Sequence, residues 1–236
     1  MAEYVPNYQH TPTILLKEQK LKKLLIFDLD GTLAHTQPLL NFIFADALTE
    51  CGIPETEEHV RALVKEQGFR PTKDGGHAPV AYLDRIPDDF GFYFWSHYEN
   101  YYMKAADRLY DGIRETLDEL KSRGHLIAVF SNKPHRFTYP IIEKAFGKGY
   151  FDFVLGGTPE LYPKPDARCI LYICKQLGIA PADTYMIGDL PADAMSAASA
   201  GANYIGALWG YSNREKLAEK GAVIFAEKPT EILTII

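Results

Sequence analysis

From Asp111 to its end the chain alternates apolar strands with amphipathic helices, and no other feature limits the possible folds so tightly. The segment DGIRETLDELKSRGH reads as a helix with Ile113, Leu117 and Leu120 on one face and Gly124 at its end. LIAVFS follows as a buried strand, HRFTYPIIEKAFG as a helix with an internal proline, FDFVLGG as a strand, PDARCILYICKQLG as a helix, TYMIGD as a strand and PADAMSAASAG as a helix of small residues. ANYIGALWG, NREKLAEKG, AVIFA and PTEILTII continue as strand, helix, strand, helix. Apolar strands each followed by a helix predict a parallel sheet covered by helices on both faces.

One further strand precedes this region, in LLIFDLDGTL, and about seventy residues of different texture separate the two. PLLNFIFADALTECGI has helical spacing through Leu40, Ile43, Phe44, Ala47 and Leu48 and closes at Gly52. PETEEHVRALVKEQGF reads as a second helix, begun by Pro54 and ended by Gly68, and RPTKDGGHAP as a loop. The aromatic run that follows is read as helical from about Phe92, with Phe94, Tyr98, Tyr101 and Tyr102 forming a core stripe rather than a substrate platform. No buried strand is expected between His35 and about Arg108. The predicted fold class is α/β, a Rossmann-like parallel sheet sandwiched by helices, with residues 1–34 and 108–236 as the core and 35–107 as an inserted α-helical unit.

In open α/β sheets ligands bind outside the carboxyl ends of the strands, and that rule gathers scattered residues into one place. The first strand ends in Asp28, Asp30, Gly31 and Thr32, the next in Ser131, Asn132 and Lys133. The turn LYPKPDA offers Lys164, and TYMIGDLPAD ends in Gly188 and Asp189, with Asp193 in the following first turn. Two aspartates one residue apart repel each other, so a cation or a shared proton has to hold them. Taken singly, Asp28 would pass for a turn former, Ser131 for a cap and Asp193 for a first-turn acid favoured by the helix dipole. There are 25 Lys plus Arg against 31 Asp plus Glu, a net charge of -6. This balance argues against nucleic acid and anionic membranes as partners, so any anionic ligand must be drawn by a local arrangement of lysine, amides and metal.

DLDGT, SNK, the lysine of PKPDA, and GDLPAD, in this order at successive strand ends, resemble the four signature motifs of the haloacid dehalogenase (HAD) superfamily of phosphohydrolases. LYDGI, SNKP, PKPDA, AASAGA and GALWGY are similar to its phosphoglycolate phosphatase branch. The likeness runs from about Leu24 to the end and is weakest from Arg70 to Met103. It implies a HAD fold in which residues 35–107 form a helical cap domain. It also implies a Mg²⁺-dependent hydrolase of a small phosphate monoester, with 2-phosphoglycolate the leading substrate. By the same resemblance Asp28 is the nucleophile that forms an aspartyl-phosphate and Asp30 the acid that protonates the leaving oxygen. Mg²⁺ is then held by Asp28, the Asp30 carbonyl and Asp189, with Asp193 orienting its waters. Gly31, Thr32, Ser131, Asn132 and Lys164 bind phosphate, while the direction of Lys133 is left open. A phosphosugar mutase of the β-phosphoglucomutase type would keep every one of these motifs, and a non-catalytic phospho-ligand binding protein is the alternative of another class. His35 stands where many relatives have aspartate, and Ser131 replaces a commoner threonine.

The three cysteines, Cys51, Cys169 and Cys174, show no metal-ligand pairing, and Cys174 has the spacing of core filling. Without a secretory signal or a run of transmembrane length, the expectation is a cytoplasmic, soluble monomer or homodimer.

Overall fold

The computed structural model describes residues 22–67, 69–71, 77–158 and 162–236. Its centre is strand β1 (Leu24–Phe27), whose four side chains are fully buried. Helices α1 (Gln37–Glu50), α2 (Glu57–Gln67) and α3 (Phe90–Tyr101) follow. The chain then returns through α4 (Ile113–Ser122), β4 (Leu126–Pro134), α5 (His135–Phe146), β5 (Phe153–Gly157), α6 (Arg168–Leu177), β6 (Thr184–Gly188), α7 (Pro191–Ala200), β7 (Asn203–Ala207), α8 (Arg214–Ala218), β8 (Phe225–Ala226) and α9 (Ile232–Ile235). Short strands β2 (Phe69–Pro71) and β3 (His77–Pro79) lie between α2 and α3.

The large sheet has the order β5-β4-β1-β6-β7-β8, with every pairing parallel. Side chains alternate across it as strand geometry requires. Leu25 and Phe27 join a core with Ile113 and Leu117 of α4, Ile141 of α5 and Ile232 of α9. Leu24 and Ile26 join a second core with Ile170 and Ile173 of α6, Ala194 and Ala197 of α7 and Leu217 of α8. These two cores make the three-layer sandwich, and each fully buried large aliphatic or phenylalanine contributes roughly 1.5–3 kcal/mol. Cys169 and Cys174 belong to the second core, with Cys174 Sγ 3.3 Å from Thr184 Oγ1, and burial pushes both thiols up. After β5 the chain crosses back over β1 to place β6 on its other side. The order reverses between β1 and β6, and a crevice opens at such a switch point.

Between β1 and α4 the expected helices are present. Phe44 of α1 stacks near Phe90 and Phe94 of α3, with centroids 6.1 and 4.6 Å apart. The loop expected over RPTKDGGHAP needs correction at both ends, because β2 and β3 pair antiparallel there, Arg70 opposite Ala78. Strands of three residues show no alternation for a sequence reading to detect, and the two glycines between them read only as loop. Lys73 of that loop lies outside the described residues. The helix expected from Phe92 starts at Phe90, and the C-terminal helix is reduced to a 3₁₀ turn, Pro229–Glu231, followed by α9.

Among the described residues, no helix is long and apolar enough to cross a membrane.

Candidate active site

β1 lies between β4 and β6, so their carboxyl ends converge. Asp28 follows β1 directly and ties its N–H to Ile187 O of β6 at 2.9 Å, which sets it one step from Asp189. Asp28, Asp189 and Asp193 each offer a carboxylate oxygen within 4.8 Å of one another. All three are buried, at 4, 0 and 1% exposure. Lys164, at 7%, is the cation among them, its Nζ 2.8 Å from Asp28 Oδ1, 2.7 Å from Asp193 Oδ1 and 3.2 Å from Phe130 O. The contacts with the two carboxylates are ion pairs out of hydrogen-bond alignment, so both Oδ1 atoms lack a hydrogen bond.

Three buried carboxylates against one ammonium leave an excess of negative charge in a site shielded from water. Burial pushes the Asp28 carboxyl up to about 7, against the downward pull of Lys164, with Asp193 and Asp30 adding to the rise. Burial likewise drives Asp189 well above the usual carboxylate range, helped by the charges of Asp28 and Asp193. The two carboxylates hold Lys164 above its ordinary value despite burial. Hard oxygen donors clustered within 4.8 Å and surplus negative charge together suit a divalent cation.

Asp189 is held by two donors, Thr32 Oγ1 to Oδ1 and Tyr211 N to Oδ2, both at 2.9 Å. Its carboxylate also explains two glycines. A Cβ on Gly31, whose φ is +84°, would stand 2.3 Å from Asp189 Oδ2, and one on Gly210 2.2 Å from Asp189 Cβ. Asp193 does two jobs: Oδ2 accepts from Leu190 N at 2.9 Å and starts α7, while Oδ1 meets Lys164. The capping role and the charge-cluster role therefore coexist.

Asp30 belongs to a second ion pair. Its Oδ1 meets Lys133 Nζ and accepts from Thr36 Oγ1 at 2.6 Å. Lys133 thus points inward, with its side chain 6% exposed, and Asp30 keeps its ammonium above the ordinary value despite burial. The two aspartates of FDLDG are separated electrostatically by two lysines, Lys164 on Asp28 and Lys133 on Asp30.

The expected phosphate donors are distributed differently from their simplest reading. The Thr32 hydroxyl is engaged by Asp189. Asn132 uses both side-chain atoms on the Lys164 backbone, Nδ2 to its O at 3.2 Å and Oδ1 from its N at 2.8 Å, which fixes the turn that presents Lys164. Ser131 Oγ accepts from Lys133 N at 3.2 Å, so its own hydrogen remains free for another acceptor, and it caps no helix, since α5 begins after Pro134. Gly31 N is bonded to Ala34 O at 2.9 Å.

Three participants carried no signal of their own in the sequence. Thr36 and Tyr211 are bonded to Asp30 and Asp189 respectively, and Gly210 makes room for Asp189. Trp209 packs beside them and donates Nε1 to Thr32 O at 2.9 Å.

The model of the haloacid dehalogenase-like hydrolases matches residues 22–201, so the chain belongs to that family and is a hydrolase by class. Among curated proteins it is similar to the phosphoglycolate phosphatase of Mannheimia succiniciproducens, 31% identical over 231 residues, covering 91% of this chain and 98% of the relative. Among solved structures it is similar to a predicted phosphoglycolate phosphatase from Haemophilus somnus 129pt, with TM-score 0.77 and 27% identity over 93% of this chain and 99% of that one. A structure provisionally named β-phosphoglucomutase from Thermotoga maritima shares the fold at TM-score 0.70 and 24% identity, over 90% of this chain and 97% of that one.

Proposed function

We propose that this protein is a Mg²⁺-dependent phosphoric monoester hydrolase acting on a small phosphorylated metabolite, with 2-phosphoglycolate as substrate. The observation that carries the proposal is the pairing of the two aspartates with different lysines at the switch point of the sheet. A phosphate monoester needs an aligned nucleophile, neutralised charge and a proton for the departing oxygen. Asp28, fixed by Lys164, attacks phosphorus and carries the phosphoryl group as an aspartyl-phosphate. Asp30 gives its proton to the leaving oxygen and then takes one from the water that hydrolyses the intermediate. Lys164, the Ser131 hydroxyl and the Thr32 backbone amide receive the phosphoryl oxygens, Gly31 leaves room for their close approach, and Asn132 acts by fixing Lys164.

Asp28, Asp189 and the Asp30 carbonyl would hold Mg²⁺, with Asp193 orienting its waters. Bound there, the cation supplies charge neutralisation for the phosphoryl oxygens. Residues 35–107 serve as the cap over the core formed by 1–34 and 108–236, excluding bulk water and restricting access to small substrates.

Purified protein is expected to release phosphate from 2-phosphoglycolate with Mg²⁺ and not in EDTA, and Asp28→Asn should abolish that release. Persistent turnover by Asp28→Asn would remove Asp28 as nucleophile. A mutase would convert β-glucose 1-phosphate into an isomer without releasing phosphate, whereas binding without any turnover would indicate a non-catalytic protein.

A further inference from the structure

Tyr211 lies in the turn after β7 and touches both halves of the site. Its N–H donates to Asp189 Oδ2 at 2.9 Å, and its hydroxyl lies 3.0 Å from Thr36 N and 2.9 Å from Thr36 Oγ1. Counting hydrogens fixes the direction of these bonds. Asp30 Oδ1 faces both the Lys133 ammonium and the Thr36 hydroxyl, so it accepts from both and carries no hydrogen itself. Thr36 has therefore used its only hydroxyl hydrogen on Asp30, and the bond between the two hydroxyls must be donated by Tyr211. The oxygen of Tyr211 in turn accepts from Thr36 N–H, which it shares with Ala34 O at 3.0 Å. The result is a one-way chain, Tyr211 to Thr36 to Asp30, anchored at its far end to Asp189.

Thr36 also stands where the chain leaves the sheet for α1. His35 N donates to Arg108 O at 2.7 Å, and Ala34 bridges Leu109, so the outgoing and returning segments are paired here. The His35 ring sits between Tyr110 and Tyr211, with centroids 5.5 and 6.5 Å away. Lys133 supplies charge to the Asp30 carboxyl but little direction, because an ammonium acts as a compact point charge. A threonine at the start of a helix, locked by a second hydroxyl, supplies that direction.

We propose that Tyr211 is a positioning residue for proton donation: through Thr36 it turns the Asp30 carboxyl so that Oδ1 is held by the protein and Oδ2 is presented to the leaving oxygen. The proposal rests on the phosphatase reading above. As an Asp28 oxygen bonds to phosphorus to form the aspartyl-phosphate and the bond from phosphorus to the leaving oxygen breaks, the electron pair of that broken bond goes to the leaving oxygen and the Oδ2 proton of Asp30 moves to it. The products are a neutral alcohol and a carboxylate whose charge is met by Thr36 and Lys133.

The test compares two leaving groups. An alkyl phosphate needs the proton, while 4-nitrophenyl phosphate expels an anion stable without it. The constant kcat/KM reports only the steps up to departure of that group. Tyr211→Phe and Thr36→Val are each expected to lose about tenfold or more in kcat/KM on the best alkyl ester of a panel headed by 2-phosphoglycolate, a fraction of the 10²–10⁴ that general acid catalysis typically supplies. On 4-nitrophenyl phosphate both should stay within about twofold, since that departure needs no general acid. The double variant should be no worse than the poorer single, and Thr36→Ser should retain the wild-type ratio between the two esters. Circular dichroism melting of the metal-free proteins identifies any variant that is unfolded, and the other of the pair then carries the comparison. Equal losses on both esters, or losses that multiply in the double variant, would overturn the proposal. Wild-type protein that hydrolyses neither ester would instead overturn the phosphatase reading itself, and this proposal with it.

Discussion

Lys164 sets the electrostatics of the site because its ammonium touches both Asp28 and Asp193 while Asp189 stands beside them. Removing one partner from a buried charge cluster typically costs about 3–5 kcal/mol, since the remaining charges are left without compensation. Lys164→Met is therefore expected to lower urea stability in EDTA by about 3 kcal/mol. Mg²⁺ should recover part of that loss, and phosphate release should be severely reduced. Unchanged stability in EDTA would show that the lysine does not compensate the three carboxylates. At this scale the sequence was informative where a residue type has one plausible use at a strand end, as for Asp28, Lys164 and Asp189. It was silent on Thr36, Gly210 and Tyr211, because their roles come from contacts 6, 21 and 22 positions away along the chain, or further. The same holds for Thr32 and Asn132, whose types were right for phosphate but whose side chains are engaged with Asp189 and the Lys164 turn.

Phe137 is the aromatic centre of the contact between α5 and the α3 segment, beside the Lys144 bonds to Met103 O and Asp107. Phe137 is stacked on Trp95 at 5.5 Å and meets Tyr98 and Tyr102 at 4.9 and 5.0 Å, while the Arg136 guanidinium lies 4.5 Å over its ring. Phe137→Ala removes the shared neighbour of three aromatic rings and should cost about 3–5 kcal/mol in denaturant unfolding, whereas Phe137→Leu, nearer in volume, should cost under about 1.5 kcal/mol. Similar costs for both would mean that packing at this contact is not what holds the helices in place. Of the expected stripe, Phe94 and Tyr98 are buried as helical spacing indicated, while Tyr101 and Tyr102 are only half-buried at the end of α3. The stripe's partner on α5 was not legible, because periodicity gives the buried face of a helix and not the surface that it meets.

Taken as a whole, the molecule has a polar centre that opposes its own burial. The folded state raises the Asp28 carboxyl from 3.8 to about 7, so it favours the protonated form. That contribution is fully present below about pH 4 and is lost as pH rises through about 7. In EDTA, the melting temperature of the wild type relative to Asp28→Asn, which lacks the titrating group, should fall between pH 4 and 7 and level off above. At pH 8, added Mg²⁺ should raise the wild-type melting temperature, with about 2.7 kcal/mol expected at a hundredfold excess over Kd. A flat difference with pH, or no response to Mg²⁺, would contradict this account of the charge cluster. The alternating apolar strands and amphipathic helices by themselves determined a parallel sheet with two covered faces, since each strand buries both sides and each helix only one. They also determined that acids and a lysine stand at strand ends. Only the tertiary structure decided that β6 crosses back beside β1, bringing Asp189 to Asp28, that two lysines divide the paired aspartates, and that Tyr211 spans from Asp189 to Thr36. The reason is physical: strand and helix patterns are set by neighbours within a few residues, whereas strand order and the pairing of buried charges depend on which distant segments the closed sheet brings together.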